Sequence, residues 1–222
     1  SDVNIYVTNP NAGMLDIVIP INVDINNFKL IKEFIIAHTI TLVLIGPEIP
    51  LISGITDYII KEKDLHNVKV IGPSKLGSKL EGSKEFAKNF MKKYNIPTGS
   101  YRSFTKDTFI EGVEFIKNNN PPYVLKADGP AAGKGVIIVN NIEDAISNLE
   151  DMLINSKFGV SSQTVIIEEF LDGIEMSCFV LFDGLNYKTL PYAKDYKRIG
   201  EGDKGLNTGG MGAVSPVDFL DH

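Results

Sequence analysis

Hydrophobic and polar positions alternate along the first third of the chain in a pattern that predicts strands and helices in turn. Apolar runs at Ile5–Val7, Thr41–Ile45 and Val68–Ile71 are typical of strands, and the last two lead into Gly-Pro pairs. Between these runs, Phe28–Ala37 and Leu51–Ile60 have the apolar spacing of helices. This order predicts a parallel sheet with ligand-binding loops at its carboxyl edge.

A helix is also predicted shortly after this region. Between Ser83 and Tyr94, Phe86 and Phe90 have helical spacing, and Ser83 is a suitable N-cap. Lys84 then stands at the helix start, where an acidic residue is more usual. A lone lysine at such a place is usually solvated, and phosphate binding is the alternative explanation.

The middle of the chain predicts a small α+β module followed by more strands. Val124–Lys126 and Gly135–Val139 are predicted strands joined by a glycine-rich loop, and Ile142–Leu153 has an apolar stripe at helical spacing. Thr164–Phe170 and Met176–Phe182 are rich in residues that favour strands, and we expect them to form a second sheet.

Composition narrows the class of protein. The 222 residues are 43% hydrophobic and 23% charged, as in ordinary globular proteins, and the formal net charge of −6 argues against a nucleic acid partner. One cysteine and three scattered histidines predict neither disulfides nor a metal site. We therefore expect a cytoplasmic protein without membrane or protein partners, and we expect Cys178 to pack in the core.

The loop Asp128–Gly135 and the lysine before it are the first candidates for chemistry. Small residues let backbone amides approach phosphate oxygens, and Lys134 adds a positive charge. It is not a P-loop, because Gly135 stands where Ser or Thr is required. Alone, the loop would be a flexible hairpin turn and Lys126 a lysine that reaches solvent from a strand end. Together they favour phosphate binding.

Two further segments have polar residues beside apolar strands. Backbone groups around Glu168–Leu171 could hydrogen-bond an adenine edge while Glu175 accepts from ribose hydroxyls, although a charged turn would have the same pattern. Arg198 can hold a carboxylate or phosphate bidentately, and the glycines of Asn207–Gly212 allow close approach of a ligand. The alternative for this second segment is a solvated basic turn with a flexible loop.

Several stretches resemble, in order and spacing, the glycinamide ribonucleotide synthetases, a family of the ATP-grasp superfamily. The resemblance runs from about Ile5 to Pro216, and no single stretch would establish it. The stretches that carry it are Ile45–Glu48 with Pro50-Leu51, Leu80–Lys84, Lys126–Gly129 with Ala131–Val136, Glu168–Gly173 and Asn207–Gly212.

The resemblance implies a role for most of these residues. For ATP it implies contacts from Lys84, Lys126, Gly133, Lys134, Gly135, Glu168, Glu169, Phe170, Leu171 and Glu175. For the other substrates it implies contacts from Asn11, Gly13, Glu48, Asp195, Lys197, Arg198, Asn207, Thr208, Gly209, Gly210 and Met211. It makes Lys126 and Arg198 the catalytic residues and assigns no metal ligand to this chain.

The reaction implied is a ligation in purine biosynthesis. Glycine's carboxylate attacks the γ-phosphate of ATP, and the amine of 5-phosphoribosylamine then displaces phosphate from glycyl phosphate. The partners are therefore small molecules, namely glycine, 5-phosphoribosylamine and ATP. Positioning and charge neutralisation would carry the catalysis, so magnesium is expected, with manganese as the alternative.

The fold implied is α/β, an ATP-grasp fold preceded by part of a Rossmann-like parallel-sheet domain. We expect a partial N-terminal domain at 1–100, a small ATP-grasp subdomain at 101–168 and the start of a larger subdomain at 169–222. The opening glycine-rich strand and loop of the family, and its downstream Glu and Asn magnesium ligands, have no counterpart in the sequence. We therefore expect this chain alone to be catalytically incomplete.

The sequence departs from the family in its substrate-contact segments. Lys194 and Tyr196 stand where Gln and His are usual, Pro130 and Leu206 replace Leu and Pro, and Asn9-Pro10 alters the first loop. These departures concern substrate contacts and not the ATP site, and two other hypotheses stay open, the second because the metal ligands are missing. One is another ATP-grasp ligase that activates a different carboxylate or bicarbonate, and the other is a nucleotide-binding module without catalysis.

Overall fold

The chain divides into two units, Ser1–Gly82 and Ser83–His222, and each contains both strands and helices. The structure is a computed structural model that describes residues 3–131, 134–202 and 204–217. For residues 206, 207 and 209 it describes the backbone and not the side chains. The three predicted domains, with breaks after residues 100 and 168, follow a different division and stay a prediction.

The first unit contains two pairs of parallel strands, β1 with β2 and β3 with β4. The predicted strands at Thr41–Ile45 and Val68–Ile71 are thus confirmed as a parallel pair, whereas the predicted strand at Ile5–Val7 pairs with β2, which was not predicted. Ile35, Ile55, Ile59 and Leu65 form its buried core. In chain order its elements are β1 (Tyr6–Thr8), β2 (Ile19–Ile21), α1 (Phe28–Ala37), β3 (Leu42–Leu44), α2 (Glu48–Ser53), α3 (Ile55–Lys61), β4 (Lys69–Ile71) and α4 (Lys79–Gly82).

The single helix predicted at Leu51–Ile60 is wrong, because two helices meet there at Gly54. Gly54 has φ 98° and ψ 31°, and its backbone amide donates to the carbonyls of Pro50 and Leu51 in α2. This left-handed conformation ends one helix and begins the next, and glycine adopts it without the steric cost of a Cβ.

The second unit is built on a four-stranded antiparallel sheet with the strand order β5-β8-β6-β7. Helices α6 and α7 pack against one face, where Phe104, Ile116, Leu125, Leu149 and Val165 are buried. Its elements are α5 (Lys84–Lys93), β5 (Tyr101–Thr105), α6 (Phe109–Lys117), β6 (Tyr123–Ala127), β7 (Val136–Val139), α7 (Ile142–Leu153) and β8 (Thr164–Glu168).

The expectation that Thr164–Phe170 and Met176–Phe182 form one second sheet is wrong. Strand β8 lies inside the four-stranded sheet, between β5 and β6. The later segment yields β9 (Val180–Phe182), which pairs with β10 (Tyr187–Thr189). The next antiparallel pair is β11 (Lys194–Gly200) with β12 (Lys204–Val214).

Candidate active site

Lys126 and Glu168 lie on neighbouring strands, on the sheet face opposite α6 and α7. Leu125 and Ala127 are in the core beneath the helices, so the two-residue alternation of a strand turns Lys126 to the other face. The register pairs Lys126 with Ile166, which makes Glu168 its diagonal neighbour. The Lys126 ammonium forms a salt bridge with Glu168 Oε1. A predicted phosphate ligand and the first residue of the predicted hinge are therefore in contact.

Glu168 has a second cationic partner, Lys88, which the sequence interpretation missed. Lys88 Nζ lies 2.8 Å from Glu168 Oε2. The contact is an ion pair without the directionality of a hydrogen bond. The Glu168 side chain is only 8% exposed, and that of Lys88 13%. Two ammonium groups thus neutralise a buried carboxylate, whose burial would otherwise be costly. The detectable sequence pattern was the one-turn spacing between Lys84 and Lys88.

The start of helix α5 lies beside the end of strand β6. Ser83 is the N-cap of α5, as predicted. Ser83 Oγ accepts from the Phe86 amide (3.0 Å) and donates to Asp128 Oδ1 (3.0 Å). The same carboxylate oxygen accepts from the Glu85 amide at 2.7 Å. The Asp128 carboxylate therefore satisfies one of the amide groups that a helix leaves unpaired at its start, and its charge suits the positive end of the helix dipole.

Lys84 at this helix start reaches back over the end of β6. Its ammonium donates to the carbonyls of Ala127 (2.8 Å), Asp128 (3.2 Å) and Gly129 (3.4 Å). The first of these carbonyls belongs to the residue after Lys126. The two lysines predicted to contact phosphate are therefore brought to the same strand end from separate elements.

The first half of the loop between β6 and β7 is tied to the turn before β8. The Gly129 amide donates to the Ser161 carbonyl (3.1 Å), and Ser161 Oγ donates to the Pro130 carbonyl (2.7 Å). Across the loop, a Cβ on Gly135 would lie 2.8 Å from the Ala131 Cβ, closer than such atoms come. The close approach at Gly135 therefore requires glycine. Of the residues predicted here, Gly133 lies outside the described part of the chain.

The predicted adenine hinge follows directly from β8. Ser100 donates to Glu169 Oε2 twice, from its amide (3.0 Å) and from its hydroxyl (3.1 Å), and the Glu169 amide donates to the Ser100 carbonyl (2.9 Å). The two hydrogen bonds that Oε2 accepts, the one from the Ser100 amide first and then the one from its hydroxyl, lower the pKa of the Glu169 carboxyl. Phe170 and Leu171 are exposed. The hinge thus has an anchored acidic residue followed by two exposed apolar side chains.

Glu175, predicted to hold ribose, forms a salt bridge with Lys197 at 2.7 Å. The hydrogen bond from this pair raises the pKa of Lys197. Asp195 Oδ2 lies 3.4 Å from the same ammonium. The pairing brings a predicted nucleotide contact together with two predicted substrate contacts, and the ribose assignment itself stays a prediction.

The remaining substrate candidates of this unit lie on the β11–β12 hairpin, where Arg198 pairs with Asn207. The flexible loop considered for Asn207–Gly212 is wrong for the backbone, since these residues belong to β12. Thr208 Oγ1 donates to the Lys197 carbonyl (2.8 Å) and accepts from the Gly210 amide (3.1 Å). The pairing shifts register on both sides of Arg198, as strands do at a β-bulge. Arg198 therefore stands at an irregular point of an otherwise regular hairpin.

The first unit holds the other three substrate candidates. Asn11 precedes and Gly13 lies within a 3-10 turn that follows β1, and Glu48 begins α2 after β3. A cavity of about 310 Å³ is lined by Glu48 and its neighbours Ile25, Asn26, Gly46, Pro47 and Ile49. Glu48 thus lies in a cavity after a strand's carboxyl end, where parallel sheets commonly bind ligands.

Other expectations concern metals, membranes and Cys178. Within residues 3–131, 134–202 and 204–217, no three His, Cys, Asp or Glu side chains form a group that fits a metal ion. A search of the same residues finds no helix with the length and apolar character needed to cross a membrane. Cys178 is exposed, so the expectation that it packs in the core is wrong. The reason is that its segment forms only an isolated β-bridge with Ala193 and is not covered as a strand of a packed sheet would be.

Family models match the whole sequence in two parts. Residues 1–81 match the phosphoribosylglycinamide synthetase N domain, and residues 82–222 match its ATP-grasp (A) domain. The chain belongs to the phosphoribosylglycinamide synthetase family. Its membership confirms the resemblance drawn from the sequence, and ligases of the ATP-grasp type use ATP.

Relatives in this family are similar over nearly all of the chain. The phosphoribosylamine–glycine ligase of Caldanaerobacter subterraneus is 42% identical over 217 residues, which are 98% of this chain and 51% of that protein. The crystal structure of the Thermotoga maritima phosphoribosylamine–glycine ligase matches with a TM-score of 0.73 and 34% identity, over 98% of this chain and 50% of that one. The chain thus spans about half the length of these relatives.

A more distant structure supports the fold. The D-alanine–D-alanine ligase of Bacillus anthracis has a TM-score of 0.63 at 18% identity, over 98% of this chain and 72% of that one. Identity this low indicates a shared fold and not a shared substrate. With the family match, it confirms the predicted α/β class and ATP-grasp fold.

Proposed function

We propose that this chain is the ATP-binding part of an enzyme that ligates glycine to 5-phosphoribosylamine, giving glycinamide ribonucleotide in purine biosynthesis. The names of its relatives support the choice of substrates, and membership of the family supports the reaction class. Because the chain spans about half their length, the activity is proposed for the full-length protein that contains it. The observation that carries the proposal is the meeting of Lys84 and Lys126 at the end of β6.

ATP would bind across this strand end. Two ammonium groups from different elements, next to a loop that needs glycine at residue 135, are a suitable donor set for a triphosphate. We assign the phosphates to Lys84, Lys126 and the loop residues Gly133–Gly135. Backbone groups and side chains of Glu168–Leu171 would hold adenine, and Glu175 would hold ribose.

The predicted contacts for the other substrates come from each of the two units. We assign glycine and phosphoribosylamine to the predicted contacts Asn11, Gly13, Glu48, Asp195, Lys197, Arg198 and Asn207–Met211. In the first step the glycine carboxylate attacks the γ-phosphate, releasing ADP and forming glycyl phosphate. In the second, the phosphoribosylamine amine displaces phosphate and the amide bond forms. The guanidinium of Arg198 would hold an oxyanion bidentately in these steps.

Magnesium is expected with ATP, with manganese as the alternative. The residues described in this chain offer no group of three ligands, so we derive no step through a metal ion. The cytoplasmic location, and the expected lack of nucleic acid, membrane and protein partners, stay predictions from composition.

The test uses the full-length protein and measures ADP release with each substrate in turn. Glycine and phosphoribosylamine together should stimulate turnover. Lys126→Ala should weaken ATP binding, since a charge-assisted hydrogen bond contributes about 1.5–3 kcal/mol, or roughly ten- to a hundredfold in affinity. If another carboxylate and acceptor support turnover and these two do not, the proposed substrates are wrong.

Arg198 provides the second measurement. Arg198→Ala should greatly lower glycine-dependent ADP formation and leave ATP affinity nearly unchanged, as expected when a transition-state contact is lost. Arg198→Lys should recover only part of the rate, because lysine lacks the planar fork. Full activity of the lysine variant would show that a diffuse positive charge suffices.

A further inference from the structure

Lys88 is a largely buried cation to which the proposed nucleotide site assigns no role. Besides its ion pair with Glu168, Lys88 donates to Thr98 Oγ1 (2.8 Å) and to the Gly99 carbonyl (3.3 Å). Its ammonium also lies 5.6 Å from the centre of the Tyr101 ring. Lysines usually keep the ammonium in water, so a side chain only 13% exposed calls for an explanation.

Lys126 has two competing partners in the proposed site, the Glu168 carboxylate and a phosphate of ATP. To contact a phosphate, the Lys126 ammonium must leave or share the Glu168 carboxylate with which it is paired. A buried carboxylate without a partner is strongly disfavoured. Lys88 holds the opposite oxygen of the same group. The carboxylate therefore keeps one cation whichever partner Lys126 takes.

We infer that Lys88 is a positioning residue for ATP binding, which neutralises Glu168 so that Lys126 can turn to phosphate. This inference rests on the function proposed above. It requires no contact between Lys88 and the nucleotide. Lys88 then acts only through the charge of Glu168. A phosphate ligand would instead contact the nucleotide, and the effect of a residue that only holds α5 in place would not depend on that charge.

The first experiment measures ATP affinity of the full-length protein by titration calorimetry. Lys88→Met should raise the Kd for ATP about tenfold, equivalent to about 1.4 kcal/mol. Adenosine should bind the variant as it binds the wild type, because it has no phosphate for Lys126 to contact. Lys92→Met, at an exposed position one turn further along α5, is the matched control and should change neither Kd. Lys88→Arg, which keeps the charge, should restore most of the affinity for ATP.

The second experiment repeats the comparison in a Glu168→Gln background. A neutral amide needs no counter-charge, so Lys88→Met should now leave the Kd for ATP unchanged within about twofold. Loss of the Lys88→Met effect in this background is the coupling expected when one residue acts through another. If Lys88→Met does not fold, Lys88→Gln replaces it, since glutamine can still donate to Thr98 and Gly99.

Three outcomes would overturn the inference. Equal ATP affinity of Lys88→Met and wild type would show that Lys88 is not needed. An effect that persists in the Glu168→Gln background would show direct phosphate contact. An equal loss of adenosine affinity would show a structural role in the hinge. Failure of the wild-type protein to bind ATP is a separate result, which would overturn the proposed function as well.

Discussion

Replacing Asp128 by alanine should loosen the start of helix α5. Asp128 Oδ1 accepts from the Glu85 amide (2.7 Å) and the Ser83 hydroxyl (3.0 Å), and the variant leaves both donors without this acceptor. Hydrogen bonds to charged groups contribute about 1.5–3 kcal/mol each, and a lost N-cap about 1 kcal/mol. Since Asp128 is half-buried and water can replace part of the loss, we expect about 2 kcal/mol.

Native-state hydrogen exchange on peptides from α5 measures this local effect. A loss of 2 kcal/mol corresponds to exchange about thirtyfold faster in the amides of residues 84–93. Asp128→Asn keeps an oxygen acceptor and loses only the charge, which contributes about 0.3–1 kcal/mol at a helix start, so exchange should rise only about two- to fivefold. Asp107→Ala, at an exposed carboxylate in the same unit, is the control.

Two results would refute this reasoning. If Asp128→Ala exchanges no faster than the Asp107→Ala control, the two accepted hydrogen bonds do not stabilise the helix start. If Asp128→Asn and Asp128→Ala are equally fast, the charge matters and the hydrogen bonds do not.

Other predictions concern packing, pH and the ribose contact. Gly112→Ala should destabilise the fold by about 1 kcal/mol in urea denaturation, because its Cβ would lie 2.9 Å from a methyl carbon of α7, whereas Gly173→Ala, with no atom within 4 Å, should match wild type. The lowered pKa of Glu169 means that its hydrogen bonds with Ser100 stabilise the fold above the ordinary pKa of glutamate and are lost as pH falls through the lower folded value. Urea midpoints should therefore fall less between about pH 6 and 3 in Glu169→Gln than in wild type, and parallel profiles would contradict this. Glu175→Gln should weaken binding of ATP severalfold and that of 2′,3′-dideoxy-ATP hardly at all, and equal losses would remove the ribose assignment.

Elements with strong local patterns could be predicted from the sequence. Helices α1 and α7 have the predicted bounds, and Ser83 caps α5, because helical spacing and N-cap chemistry depend on nearby residues. Strand β8 was assigned to the wrong sheet, since its pairing with β5 joins segments far apart in the chain. Strand β5 and helix α6 were not predicted. In β5 only Phe104 is less than a tenth exposed, so the hydrophobic pattern of this strand is weak.

The candidate site was predictable where one residue type stood out in its surroundings. Lys126 ends an apolar strand and Lys84 contradicts the usual preference at a helix start, so the sequence predicts phosphate binding at both. Lys88 is one of several lysines on α5 and resembles part of a solvated face, and its burial depends on Glu168. Glycine has a low propensity for strands, so the glycines of β12 predict a loop. Pairing with β11 overrides that local preference.

The order of strands in the second unit has a consequence for synthesis of the protein. Strand β8 lies between β5 and β6, so until residues 164–168 leave the ribosome those two strands have no shared neighbour to join them. A nascent chain that ends in α7 would hold β6 and β7 as a hairpin and leave backbone groups of β5 and β6 unpaired. Such edges are sites of wrong association, and pairing over long sequence separations is slow. Glu168 arrives with this last strand, so the salt bridges to Lys88 and Lys126 can form only when the sheet closes.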